Sequence, residues 1–309
     1  MSYHQDWKVE DWRRLFDEFK ALQVSRLVLQ WSVSADLAFY PTNTLQAGSC
    51  PPLDTILGLA DESGVKVSVG LWHDPEYWKN IAGPAGLVEV YLRRAALRSV
   101  QICRELTPLV RRHPSFEGWY ISEEVDDTSW NEPLRRKLIL EHLSVLSADL
   151  RTGLPEAKVS VSGFSNARLD PESLAQFWSS ALAGSSIDTL YFQDGIGTRK
   201  LELEYLPLYL GAVKRAAGGA GRTLGVVVEV FEQKAGGDTA VFKAVPASLS
   251  RIDRQIELAA RYAGDRIVAF SLPDYMTGAA GDAPRRLLEG YMRKYIASGP
   301  RASANPPDR

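Results

Sequence analysis

Short apolar runs rich in β-branched and aromatic residues alternate along this chain with longer segments of helical spacing. Seven runs read as strands: Arg26 to Trp31, Val65 to Trp72, Phe116 to Ile121, Lys158 to Phe164, Thr189 to Gln193, Thr223 to Phe231 and Ile267 to Leu272. Each is apolar at almost every position, as a strand covered on both faces must be. Apolar residues recur at three- and four-residue intervals over Trp7 to Leu22, Leu53 to Ser63, Leu87 to Arg112, Glu132 to Arg151, Pro171 to Ala183, Leu203 to Ala217, Ser250 to Tyr262 and Pro284 to Ala297, which predicts eight helices. A strand followed by a helix, repeated, is the pattern of parallel pairing with helical crossovers.

Eight helices against seven strands predict a first strand cut short, and Ser2-Tyr3-His4-Gln5 stands where its end would be. The expectation is an α/β fold, a (β/α)8 TIM barrel forming a single domain over residues 1–298, with a Pro- and Ala-rich disordered tail over 299–309. The doubly wound open sheet is the alternative, but no glycine-rich phosphate turn follows the early strands.

Composition then narrows the partners. With 36 basic and 38 acidic side chains and a net charge of -2, the chain has no basic excess for a nucleic-acid footprint. No run approaches the roughly 18 apolar residues of a membrane span. Cys50 and Cys103 are far apart and form no CxxC, so neither a metal knuckle nor a disulfide framework is predicted. GxxxxGK[ST] and GxSxG are absent.

A TIM barrel builds its active site at the carboxyl ends of its strands. Counting the shortened first strand, those ends carry His4 and Gln5, then Gln30 and Trp31, Trp72 and His73, and Glu123 and Glu124; Ser165, Gln193 and Asp194, Glu229 and Glu232, and Tyr275 follow. Glu229 interrupts an apolar run in a strand that a barrel buries, and a buried carboxylate is costly unless paired or used. In GWYISEE, at the end of the fourth strand, adjacent acids point to opposite faces, so only one of Glu123 and Glu124 can face the mouth. Two carboxylates across an aromatic-lined cleft are the equipment of glycoside hydrolysis, where one protonates the leaving oxygen and the other attacks carbon or activates water. Trp31, Trp72 and Tyr275 offer flat rings to sugar faces, while the Gln, Ser, His and Asp side chains at the strand ends suit hydroxyls. His4, His73 and Asp194 form a possible metal set, but without an HxH or HExxH pairing no metal or other cofactor is expected.

Taken in order, YHQDW (Tyr3 to Trp7), LVLQW (Leu27 to Trp31), VGLW (Val69 to Trp72), GWYISEEVDD (Gly118 to Asp127), SGFS (Ser162 to Ser165), YFQDGIG (Tyr191 to Gly197) and VEVFE (Val228 to Glu232) resemble domain of unknown function 4434, a family of glycoside-hydrolase-like barrels. The resemblance implies a glycosidase, probing an oligosaccharide or polysaccharide, with Glu124 as acid/base on the fourth strand and Glu229 as nucleophile on the seventh. It also implies that Gln30, Gln193 and Asp194 bind sugar or position a carboxylate, and that the protein is periplasmic or extracellular. Ser122-Glu123 stands where related retaining enzymes carry an Asn before the acid. That departure keeps open a non-catalytic carbohydrate-binding barrel assisting exopolysaccharide synthesis or export.

Overall fold

The computed structural model describes residues 4, 6–48, 50–234 and 242–297. Seven strands form one parallel sheet: β1 (Arg26–Leu29), β2 (Lys66–Gly70), β3 (Phe116–Asp126), β4 (Lys158–Phe164), β5 (Thr189–Gln193), β6 (Thr223–Glu229) and β7 (Ile267–Phe270). Each pairs with its successor in the chain. The sheet curls into a nearly closed barrel, open only between β1 and β7, where no strand pairs with either edge among the described residues. A first strand in an eight-strand count would lie there, so β3 and β6 are the fourth and seventh of that count. The expected α/β barrel is therefore present, with seven strands among the described residues. The tail over 299–309, and Gln5, lie outside the described residues.

The principal helices pack outside the sheet: α1 (Val9–Ala21), α2 (Leu53–Ser63), α3 (Ala85–Val110), α4 (Pro133–Gly153), α5 (Pro171–Ala183), α6 (Leu206–Gly219), α7 (Leu249–Ala263) and α8 (Asp282–Tyr291). Their starts are written locally. Glu132 accepts from the backbone N–H groups of Leu134 and Arg135, and Asp170 from those of Glu172 and Ser173, each just before a proline at the first helical position. Strand alternation then divides the core. Tyr120, Tyr191 and Val227 pack with Val28, Val268 and Phe270 inside the barrel, whereas Val67, Val69, Val159 and Val161 join the larger core beneath the helices.

Three departures from the sequence expectation shape the mouth. β3 runs on to Asp126 instead of ending at Ile121, with its register shifting between Ile121 and Val125, so Ser122, Glu123 and Glu124 ride on an irregular strand end. The run expected as one strand from Thr223 to Phe231 ends at Glu229, and Phe231–Gln233 leaves to pair antiparallel with Ala244–Pro246. Trp72–His73 joins a small sheet with Val33–Ser34, Leu37–Ala38 and Gln46–Ala47 above β1 and β2. Below this rim a cavity of about 460 Å³ occupies the barrel axis and continues into the seam between β1 and β7.

Candidate active site

Inside the barrel, alternation decides which acids reach the mouth. On β3, Tyr120 faces inward, and Glu124, two pleats further on, lines the same cavity with Gln30, Trp31, Ser162 and Gln193. The Gln193 amide donates to Glu124 Oε1 at 2.7 Å and to Ser162 Oγ at 3.4 Å, while Ser162 Oγ lies 2.6 Å from the Tyr120 hydroxyl. The Tyr77 hydroxyl donates to the Glu124 backbone carbonyl at 2.6 Å, which pins the irregular strand end from outside. Burial raises the pKa of the Glu124 carboxyl, although the Gln193 hydrogen bond favours its ionised form.

Glu229 shares its face of β6 with the inward Val227. Only 3% exposed, it is roofed by the turn that follows β5. The Thr198 backbone N–H donates to Glu229 Oε2 at 2.8 Å, and the Thr198 hydroxyl lies 3.2 Å from the same oxygen. Gly197 makes this approach possible: a Cβ there would stand 2.4 Å from the Phe231 carbonyl and 2.9 Å from Glu229 Cβ. Burial and the neighbouring Asp194 charge raise the Glu229 pKa, opposed by the Thr198 donors and by Lys200. Lys200, half-buried, interacts electrostatically with both Glu124 and Glu229.

Other expected residues divide between the cavity and the surrounding packing. Trp31 lines the cavity with its ring stacked on His73 at 4.1 Å, and His73 Nδ1 lies 3.1 Å from Ser34 Oγ. His4 also lines the cavity, 3.7 Å from Asp274 and with its ring tilted against that of Trp7. Burial lowers the pKa of both histidines.

Six residues expected at the sugar face are engaged elsewhere. Trp72 is buried: its indole donates to the Ala35 carbonyl at 2.9 Å and carries Arg98 over its ring, because the small rim sheet folds over it. Glu123 points into the helix layer, 4.0 Å from His142 of α4, since it alternates with Glu124. Ser165 is buried and donates to Asp127 at 2.5 Å, organising the turn after β4. Asp194 is fully buried between sheet and α7. It accepts from Gln255 at 2.5 Å, and from the backbone N–H groups of Ile196 and Glu229. Glu232 is exposed and pairs with Arg199 at 3.0 Å. Tyr275 packs against Phe231, ring centroids 5.3 Å apart. With Asp194 turned outward, His4, His73 and Asp194 do not form a metal set, and no group of three potential metal ligands occurs among the described residues.

The sequence reading passed over Thr198, Lys200, Phe164 and Trp78. Phe164 shares its face of β4 with Ser162, and its ring lies 5.8 Å from Trp78 and 3.2 Å from the Lys200 ammonium. A signal for the first two lay in the segment after TLYFQ: Gly195 and Gly197 mark a tight turn that carries Thr198 and Lys200 back over the strand ends.

Comparison with known proteins agrees with the barrel fold. The chain is 28% identical over 234 residues to the uncharacterized protein YbcH of Escherichia coli (strain K12), covering 74% of each. Among solved structures it superimposes on a candidate α-L-fucosidase from Bacteroides thetaiotaomicron with a TM-score of 0.76, at 17% identity, over 94% of this chain and 88% of the other. An endo-β-1,4-mannanase from Thermotoga petrophila follows at a TM-score of 0.58, 14% identity, and 94% and 74% coverage. At such identities the likeness establishes a glycoside-hydrolase-like barrel fold. A family model described as a domain of unknown function (DUF4434) matches residues 1–285, and the chain belongs to that family.

Proposed function

We propose that this protein is a glycoside hydrolase in which Glu124 is the acid/base and Glu229 the nucleophile of a retaining reaction. The observation that carries the reading is that Glu124 lines the cavity and Glu229 shares the strand face of the inward Val227, at the carboxyl ends of the fourth and seventh strands of the eight-strand count. The barrel's likeness to structures described as a fucosidase and a mannanase supports a carbohydrate substrate.

The chemistry follows from the two environments. Burial raises the Glu124 pKa, which favours the protonated form that can give its proton to the glycosidic oxygen as that bond breaks, with Gln193 fixing the carboxyl. Glu229, held by two donors from Thr198 and facing the Lys200 charge, supplies an electron pair to the anomeric carbon. Glu124, now ionised, takes a proton from water as its oxygen displaces Glu229, which restores both groups.

A second reading, a barrel that binds carbohydrate without turnover, is favoured by one observation: Glu229 is covered by the Thr198 turn. Product release from a panel of bacterial and plant polysaccharides, run for the wild type, Glu124→Gln and Glu229→Gln, separates the two. The hydrolase predicts release by the wild type and a loss of at least roughly a thousandfold in each variant. Binding of a polymer with no release by any of the three would replace it with the binding barrel.

A further inference from the structure

Lys200 is a half-buried ammonium whose nearest acids all serve other donors. Glu124 accepts from Gln193, and Glu229 from Thr198. Asp126 accepts from the Thr128 and Ser129 backbone and from the Asn166 amide. Asp127 accepts from Ser165 and from the backbone of Asn166, Arg168 and Leu169. These four carboxylates hold Lys200 charged against the burial that lowers its pKa. Among the described residues, however, no carboxylate comes within salt-bridge distance of its Nζ, and its recorded close contact is the Phe164 ring at 3.2 Å.

An ammonium carries three donors, and withdrawing it from water without acceptors is costly. A phenyl ring offsets only a small part of that cost. The turn bearing the lysine is set by its own backbone: Lys200 N–H and Leu201 N–H both donate to the Gly195 carbonyl, at 2.9 and 3.2 Å. The charge is therefore held at the mouth on a fixed turn. Beside it, Trp78 stands 44% exposed with its ring against Phe164, an apolar surface next to an unmatched cation.

We propose that Lys200, Phe164 and Trp78 form a subsite for a sugar bearing a carboxylate, a uronic acid unit, adjacent to Glu124. The inference rests on the glycosidase reading and names its substrate class. Trp78 supplies the stacking face and Lys200 the counter-charge. A carboxylate gives the ammonium two acceptor oxygens and an opposite charge, where a hydroxyl gives one neutral acceptor, and charge-assisted hydrogen bonds are roughly twice as strong as neutral ones.

Equilibrium binding tests the subsite without turnover. Calorimetry would compare oligogalacturonate and glucuronoxylan fragments with their neutral counterparts, galactan and xylan fragments, on the wild type, Lys200→Met, Lys200→Arg and Trp78→Ala. The wild type is expected to prefer at least one acidic ligand by roughly tenfold or more, and Lys200→Met to abolish that preference, the loss of one charge-assisted bond being worth roughly 10- to 100-fold. Lys200→Arg is expected to retain part of the preference, and Trp78→Ala to weaken the acidic ligand. Equal affinity for acidic and neutral ligands, an unchanged preference in Lys200→Met, or no binding of any acidic fragment would each overturn the subsite. Release of reducing ends is scored separately: acidic binding without release keeps the subsite and sinks the hydrolase, whereas cleavage of neutral polymers with no binding of acidic fragments does the reverse.

Discussion

Replacing Glu123 by Gln should stabilise the protein, and only at high pH. Glu123 is 5% exposed, and its Oε2 is a buried oxygen without a hydrogen-bond partner. Its Oε1 lies 4.0 Å from His142 Nε2, and burial lowers His142 to a pKa of about 4, so that histidine brings no positive charge at neutral pH. Burial, with a smaller contribution from Asp74, pushes Glu123 itself up to about 7. The sign follows from proton counting. Between the ordinary carboxyl range and pH 7 the folded protein keeps a proton that the unfolded chain has released, so stability falls as pH rises through that window and stays lower above it. At about 1.4 kcal/mol per pKa unit, the wild type should lose about 2–3 kcal/mol between pH 5 and pH 8 that Glu123→Gln does not lose. The other buried acids are common to both proteins and cancel. Urea unfolding of both proteins at the two pH values measures the difference directly. An equal effect of the substitution at pH 5 and pH 8, or a variant less stable at pH 8 than at pH 5 relative to wild type, would show that Glu123 is ionised and partnered. Because the side chain points into the helix layer, any turnover should survive the change, in contrast to Glu124→Gln.

The remaining predictions concern the mouth and its supports. Asp194→Asn removes the negative charge that helps raise the Glu229 pKa, so the fall of activity on acidification should move to lower pH, by on the order of one unit for each 1.4 kcal/mol of repulsion removed. The fold should tolerate it, because Gln255 Oε1 lacks a partner and a turn of that amide offers it to the new N–H groups; an unmoved acid limb in the pH–rate profile would disprove the coupling. Gly163→Ala should destabilise by roughly 2–3 kcal/mol in urea unfolding, since a Cβ would fall 2.3 Å from the Trp178 ring and 2.6 Å from the Val125 carbonyl. A change below about 0.5 kcal/mol would mean that the strand relaxes freely there.

The fold was legible because its signal is repetitive: short apolar strands and amphipathic helices recur, and the deficit of one strand appears in space as the opening between β1 and β7. Alternation also limited the mouth to one of Glu123 and Glu124, and Glu124 is the one that lines the cavity with Gln30, Trp31 and Gln193. Reading failed where the residue after a strand was assumed to face the axis. Asp194 follows the inward Gln193 and so turns outward to Gln255, and Trp72 is drawn under a rim sheet of two-residue strands too short to leave a pattern. Lys200 was missed for another reason. A lysine in a polar loop reads as solvated, and only the fold of the turn, set by the Gly195 carbonyl, brings it over the strand ends.

Each of the two proposed catalytic carboxyls has an acid behind it in the helix layer, Glu123 behind Glu124 and Asp194 beside Glu229; burial raises both outer acids, Asp194 to about 6 and Glu123 to about 7, and they differ in the donors that offset it. Asp194 accepts from two backbone N–H groups and an amide, with Arg251 nearby, all of which favour its ionised form against burial. Glu123 has an unpartnered oxygen and a neutral histidine, so little offsets its desolvation. A charge at Asp194 reaches Glu229 and competes with Lys200 for control of its proton, whereas Glu123 is protonated below about pH 7 and adds little field to Glu124. The barrel thus sets its two inner carboxyls differently from behind. Burial raises the Glu124 pKa, and for Glu229 burial and then the Asp194 charge raise the pKa against the Thr198 donors and the Lys200 charge, which lower it. A ligand carboxylate drawing on the Lys200 charge would shift that balance, which ties the nature of the sugar to the protonation of the residue proposed to attack it.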